Sequence, residues 1–373
     1  MSGFVVTTRR TPLLLGLLLA ACLGTLPLVL DAQARTQTQT PVSAAALPAR
    51  LTDQEFWRLV AASSESNGSF RSDNLLSNEI RFQYVIPDLI ATTKPGRAFI
   101  GVGPEQNFTY IAAIRPAMAF IVDIRRGNLQ LHLMYKALFE LSADRAEFVA
   151  RLFSRRRPAG LRADATVADL FAAYKTVEPS ESYYRDNLKA MQTHLVTKHG
   201  FVLSDDDRKG IDFVASNFFK FGPGLQYSSS EGFGGGYEPT YLDLMVATDA
   251  TGRARGYLAD EESFAAVKDL QSRNLIVPLV GDFAGPRAIR AVGRYLTERG
   301  ATVSAFYVSN VEQYLRLYRT WNAFCGNVRT LPLDETSTFV RAGRGGRVAR
   351  GTSMMMAELV SIIDDTRSCA PAR

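Results

Sequence analysis

Cysteine and histidine are both scarce in this 373-residue chain, at three of each. That excludes the disulfide-dense scaffolds of small secreted domains and leaves little for a metal centre. No HExxH, CxxC or GxSxG occurs, so zinc-protease, dithiol and nucleophile-elbow chemistries have no readable signature. Excess charge of one sign is missing as well: 43 basic and 37 acidic residues leave a formal net charge of +6. So weak a field gives no reason to expect nucleic acid as a partner. Glycine (28) and proline (16) are too few for a collagen or low-complexity chain, and the 46% apolar content is too high for disorder. What remains is a globular body with ample material for a core.

The first segment reads as an address. Arg9 and Arg10 open it, an apolar run goes from Leu13 to Leu30, and Ala32-Gln33-Ala34 forms a small-x-small cleavage site, so residues 1–34 are expected to be a signal peptide. Leu19-Ala20-Ala21-Cys22 matches a lipobox, which offers membrane attachment through a lipidated Cys22 as an alternative. An uncleaved signal is a third, because the run is long enough to span a bilayer. Each version places the body outside the cytoplasm, periplasmic or anchored on the outer side of the inner membrane. With Cys22 removed or lipidated, Cys325 and Cys369 are an even pair that an oxidising compartment allows to join; two free thiols are the other reading.

Residues 35–50 have no apolar period and read as a linker. Thr52-Asp53-Gln54-Glu55 is a capping box opening an amphipathic helix. A βα rhythm follows: a strand over 97–102, a helix from Glu105 to Ile114, a strand from Met118 to Asp123 and a helix from Asn128 to Leu141. Residues 142–240 read as a mainly helical insertion, with starts at Ser142, Thr166, Ser180 and Ser204. From 241 to 373 the rhythm resumes, with strands expected at Tyr241–Thr248, Leu275–Val280 and Thr302–Val308 and helices at Asp260–Ser272, Pro286–Arg299 and Val311–Trp321. The tail adds short strands near Val328 and Phe339 and a helix from Ser353 to Asp365. Such alternation implies an α/β fold, a doubly wound, mostly parallel sheet whose first half lies in 51–141 and whose second half lies in 241–373.

The residues with chemical potential cluster at the ends of the expected strands. Gly101 and Gly103 follow the first strand, Glu105 opens the next helix, and Asp123 ends the second strand, 20 residues beyond Gly103. Glycines let the backbone turn tightly and approach a ligand, a helix start offers free N–H groups, and an acid at the second strand's tip accepts hydrogen bonds from a ribose diol. Asn107 and Phe108 stand where a dinucleotide fingerprint has its third glycine, and Glu105 would repel a pyrophosphate. NAD is therefore disfavoured.

Residues 97–125 resemble the first half of the Rossmann-like fold of class I S-adenosylmethionine-dependent methyltransferases. Gly101 and Gly103 match that family's loop and Asp123 its ribose acid, while Val277–Phe283 and Phe306–Asn310 resemble its fourth and fifth strands. Ile100 stands where the family has an acid before its first glycine, and no Asn-Pro-Pro-Tyr-type element is present. The resemblance implies S-adenosylmethionine as cofactor, a small-molecule pocket and a cofactor-facing set of Gly101, Gly103, Glu105, Asp123, Asp282 and Asn310. It leaves the methyl acceptor and the general base unassigned. The competing expectation is a binding or scaffold protein that kept this fold and lost the cofactor, since S-adenosylmethionine is made in the cytoplasm and the body is expected outside it.

Other clusters read as structural. His194 and His199, five apart on an expected helix, do not share an α-helical face, and His132 lies on another helix, so no metal site is expected. Asp205-Asp206-Asp207 suits a helix start. Arg155-Arg156-Arg157 suits a helix end, and Arg341, Arg344, Arg347 and Arg350 read as a solvated loop. Ser228, Ser229 and Ser230 lie in a Gly-rich turn. Phe218, Phe219, Phe221 and Tyr227 are candidates to line a lid, with buried packing as the alternative.

Overall fold

The computed structural model describes residues 46–228, 238–344, 355–367 and 369. The expected signal segment 1–34 lies outside them, as do residues 35–45 of the linker, Ser229, Ser230, Arg347 and Arg350. Six strands, β1 (Ala98–Gly101), β2 (Met118–Asp123), β3 (Ile276–Val280), β4 (Val303–Ser309), β5 (Thr338–Arg344) and β6 (Met355–Ser361), form one sheet ordered β3-β2-β1-β4-β5-β6. The first five run parallel and β6 pairs antiparallel with β5. Every residue of β1, β2 and β3 is buried, which is why these strands read as unbroken apolar runs instead of alternating ones. Pro278 is tolerated in β3 because that strand is the sheet's edge, with β2 as its only neighbour.

The α-helices are α1 (Asp53–Ser63), α2 (Ile86–Thr92), α3 (Gln106–Ile114), α4 (Arg126–Leu141), α5 (Arg145–Leu152), α6 (Val167–Tyr174), α7 (Glu181–Thr193), α8 (Asp205–Phe221), α9 (Tyr241–Val246), α10 (Glu261–Ser272), α11 (Ala288–Thr297), α12 (Val311–Leu317), α13 (Trp321–Val328) and α14 (Ile362–Arg367). Side chains of Thr52, Thr166, Ser180 and Ser204 cap their helices as the sequence suggests. The start expected at Ser142 falls two residues later, where Asp144 accepts the Glu147 N–H. The result is a doubly wound Rossmann-like α/β fold.

Four local expectations are corrected. Tyr241–Thr248 is not a strand: Thr240 and Asp243 form a capping box, and the helix buries Tyr241, Leu244 and Met245 at helical spacing. The helix expected over Val311–Trp321 breaks after Leu317, where Arg319 takes φ +60°, and a second helix runs to Val328 in place of the expected short strand. The helix expected from Ser353 is instead strand β6 followed by the short α14. Pairing of Thr338–Arg344 with Met355–Ser361 outweighs local propensity there.

Helices α5, α7 and α8 pack on α4, so the insertion stands on the helix that follows β2. Its core is aromatic: Phe148 lies 4.7 Å from Phe139, and Phe153 meets Tyr241 edge-on at 5.4 Å. Phe218 is buried in this cluster, Phe219 stacks on Tyr184, and Phe221 is exposed. Of the four lid candidates, only Tyr227 reaches the sheet's carboxyl edge. Cys325 and Cys369 are joined in a disulfide with their Cα atoms 6.2 Å apart, and Arg329 donates to the carbonyls of Thr366 and Cys369. No helix among the described residues is long and apolar enough to cross a membrane.

Candidate functional site

The strand order reverses between β1 and β4, and that is where an open α/β sheet leaves a crevice at its carboxyl edge. A cavity of about 630 Å³ lies there, lined by the residues that follow β1, β2, β3 and β4. Gly103 holds φ +74°, a backbone conformation at which a side chain would be strained. Behind it, a Cβ on Gly101 would run into the Asn107 amide. Asn107 Nδ2 donates to the carbonyls of Val102 (2.9 Å), Gly103 (3.2 Å) and Pro104 (2.8 Å), and His132 Nε2 donates to the Gly103 carbonyl at 2.9 Å. Burial pushes His132 down to about 4, so the ring is neutral and serves as a clamp. The loop after β1 is thus held from below.

Of the six residues expected to face a ligand, Gly103, Asp123, Asp282 and Asn310 line the cavity and Gly101 and Glu105 do not. Glu105 turns inward, 1% exposed, and accepts the Ser77 N–H at 3.2 Å. Its other carboxyl oxygen has no hydrogen-bond partner, and burial pushes the group up to about 7. Asp123 shares its carboxylate with Arg125, whose backbone N–H meets Oδ1 at 2.9 Å and whose Nη2 lies 3.2 Å from Oδ2. A carboxylate offers about four acceptor sites, so both oxygens keep capacity for a ligand hydroxyl. Asp282 Oδ1 accepts the Ala284 N–H at 2.8 Å.

A segment the sequence shows only as a Ser/Asn-rich loop builds the cavity's far wall. Residues 64–79 form a strap along the sheet's carboxyl edge: the N–H of Glu65 bonds the Val280 carbonyl at the end of β3, and that of Gly68 bonds the Ile124 carbonyl just beyond β2. The Glu65 carboxylate accepts the N–H groups of Asp282, Arg287 and Ala288, capping α11. Asn67 Oδ1 accepts the Arg126 N–H at 2.7 Å, capping α4. The strap is therefore fixed to both the strands and the helices it crosses.

Its last residue, Glu79, is the least conspicuous of the cavity-lining acids in sequence and the most buried of them in space. One carboxyl oxygen accepts from the hydroxyls of Tyr307 (3.0 Å) and Ser309, the other from Gln106 Nε2 (3.0 Å). Burial raises its pKa against those three hydrogen bonds, and no cation among the described residues offsets it. Ser309 holds φ +50° at the end of β4, a backbone strain that keeps its hydroxyl on Glu79. No local motif announces Glu79; the alternation of Tyr307 and Ser309 on one face of β4 is the only signal pointing toward it. Aromatic rings complete the walls, with Phe70 edge-on to Tyr314 at 5.2 Å and Tyr227, Phe283 and Tyr318 also facing in.

The arrangement offers flat apolar walls, carboxylate acceptors for hydroxyls and few cations, with Arg71 and Arg125 the only arginines that line it among the described residues. That chemistry suits an uncharged or cationic ligand with a planar ring and a diol. Away from the cavity, the expectation that His194 and His199 face apart is corrected. Residues His194–Lys198 form a π-helical turn, and both imidazoles meet Glu140 Oε2 at 2.7 Å.

Residues 75–357 match the model of a family described as a domain of unknown function (DUF7790). The matched span takes in β1 to β5, the start of β6 and every cavity-lining residue except Ser69, Phe70, Arg71 and Asn74. No curated protein matches the sequence.

Proposed function

We propose that this chain, which belongs to the DUF7790 family, binds a nucleoside-type small molecule at the carboxyl edge of its sheet, with S-adenosylmethionine as the ligand that suits the site. The observation that carries the reading is the position of Asp123 at the tip of β2, lining the same cavity as the glycine turn at Gly103. The residues present fit the group: Gly103 has open space where a Cβ would be, Asp123 keeps acceptor capacity for a ribose diol, and the aromatic walls suit an adenine ring. Bound there, the sulfonium supplies an electrophilic methyl group. Asp123 would orient the ribose, Asp282 and Asn310 would face the reacting end, and Glu79 would hold the proton given up by an O–H or N–H acceptor. A raised pKa suits a carboxylate to that task.

A second reading, a binding or scaffold protein that kept the fold and lost the cofactor, is favoured by one observation: Arg125 already occupies part of the Asp123 carboxylate. Calorimetry of the full chain against S-adenosylmethionine and S-adenosylhomocysteine decides first whether the pocket takes the nucleoside. One site is expected, weakened tenfold or more by Asp123→Asn; no heat with either ligand overturns the proposal. Formation of S-adenosylhomocysteine in the presence of candidate acceptors then separates turnover from binding. The reading includes export, supported by the Cys325–Cys369 disulfide, a bond that persists in oxidising compartments. The mass of the mature N-terminus distinguishes cleavage after Ala34 from lipidation at Cys22.

A further inference from the structure

Behind the sheet, far from the carboxyl edge in sequence, three segments converge on one point. Glu140 is the penultimate residue of α4, His194 and His199 bracket the π-helical turn after α7, and Asp53 opens α1. On an α-helix, residues five apart diverge around the axis; the i→i+5 closure of His199 N–H on the His194 carbonyl at 3.1 Å brings the two onto one side, their rings edge to face. Their ring centroids lie 4.9 Å apart. His194 Nε2 and His199 Nε2 each lie 2.7 Å from Glu140 Oε2, and the three atoms are all within 4.8 Å of one another. The side chains are 9%, 5% and 4% exposed.

We propose that Glu140, His194 and His199 form a divalent-metal site, with zinc as the ion that best suits it. Two imidazoles and one carboxylate are a zinc donor set, and three protein ligands leave a fourth position for water. Metal–ligand bonds of about 2.0–2.2 Å put tetrahedral donor atoms about 3.3–3.5 Å apart, so each imidazole has to retreat from Glu140 by under an ångström.

The surroundings supply what such a ligand set needs. His199 Nδ1 lies 2.6 Å from Asp53 Oδ1, and Asn274 Nδ2 donates to the same oxygen at 2.8 Å. A carboxylate on the far nitrogen of a ligating histidine fixes its tautomer and aims Nε2 at the ion. A surface cleft of about 470 Å³ that includes His194, Thr193 and Thr197 opens beside the cluster and provides an entry path. Two lysines also face Glu140. Lys136 bonds Oε1 at 2.7 Å and leaves Oε2 to the imidazoles, while Lys198 is 60% exposed at 3.4 Å and free to swing outward. Joining α4 to the segment after α7, with Asp53 of α1 holding His199, the ion would tie the helical insertion to the body.

The test uses the full chain after chelator treatment, titrated with Zn²⁺ or Co²⁺ alone. One ion per chain is expected, with the visible absorption of tetrahedral Co²⁺ and a melting temperature that rises with zinc concentration. His194→Ala and His199→Gln should each weaken binding a hundredfold or more, and Asp53→Asn tenfold to a hundredfold without removing a ligand. Absence of a Co²⁺ band with the unmodified chain overturns the site, whatever the variants do. Binding that persists unchanged in the His194→Ala, His199→Gln double variant, with native circular dichroism, overturns it as well.

Discussion

In the helical layer built on α4, acids are matched to cations: the buried carboxylates of Glu140 and Asp207 to Lys136 and Arg126, and the part-exposed Glu261 to the buried Arg145. At the carboxyl edge of the sheet, Glu79 and Glu105 are as deeply buried and have only neutral donors. The titration of the two regions splits accordingly. Burial raises Asp207, but hydrogen bonds from Arg126, Gln130 and Ser204 bring it to about 2, and Glu140 is likewise held low by His194, His199 and Lys136. Burial alone dominates at the edge and lifts Glu105 to about 7. An acid buried with its counter-charge is held in its charged form; an acid buried without one is pushed above its ordinary value.

The largest expected effect tests the matched region. Arg145 is 2% exposed and donates to Glu261 and to the carbonyls of Leu258, Ala259, Ala163 and Ala165. Arg145→Met strands all of them and should cost about 3–5 kcal/mol in urea unfolding; a loss no larger than that of a surface substitution would break the comparison.

Opposite pH slopes sharpen it. Asp207, at about 2 when folded and 3.8 when unfolded, contributes stability that is present above pH 3.8 and lost as pH falls toward 2. Glu105, at about 7 when folded and 4.5 when unfolded, favours the fold below pH 4.5, and that contribution is lost as pH rises through 7. Asp207→Asn should flatten the acid limb by about 1–2 kcal/mol and Glu105→Gln the neutral limb by about 2–3 kcal/mol. Unfolding midpoints across pH 2–8 read both, and equal slopes of one sign would refute the contrast.

Glu79→Gln should have the smallest effect on stability, under about 1 kcal/mol, because no cation is orphaned and the hydroxyls of Tyr307 and Ser309 keep an acceptor. A loss comparable to that of Arg145→Met would make Glu79 a structural residue.

The cavity was partly legible from residue spacing alone. Gly103, Asp123, Asp282 and Asn310 sit where strand ends put them, because in a parallel sheet every carboxyl end faces the same edge. Glu105 was misplaced because a residue at a helix start can turn outward to a ligand or inward to a neighbour, and Ser77, 28 residues earlier, settles which. Glu79 was invisible for the same reason: its partners come from β4 and α3, and the strap that carries it has no period of its own.

By itself the sequence determined the apolar runs of β1 to β4, the helix caps at Thr52, Thr166, Ser180 and Ser204 and the alternation that makes the sheet doubly wound, since each rests on neighbours a few residues apart. Only the tertiary structure decided that Met355–Ser361 pairs as β6, that Cys325 bonds Cys369, that Glu79 closes the cavity and that His194 and His199 meet at Glu140. Each of those outcomes depends on groups brought together from distant parts of the chain or, for the two histidines, on a helical turn wound one residue wider than the α-helix.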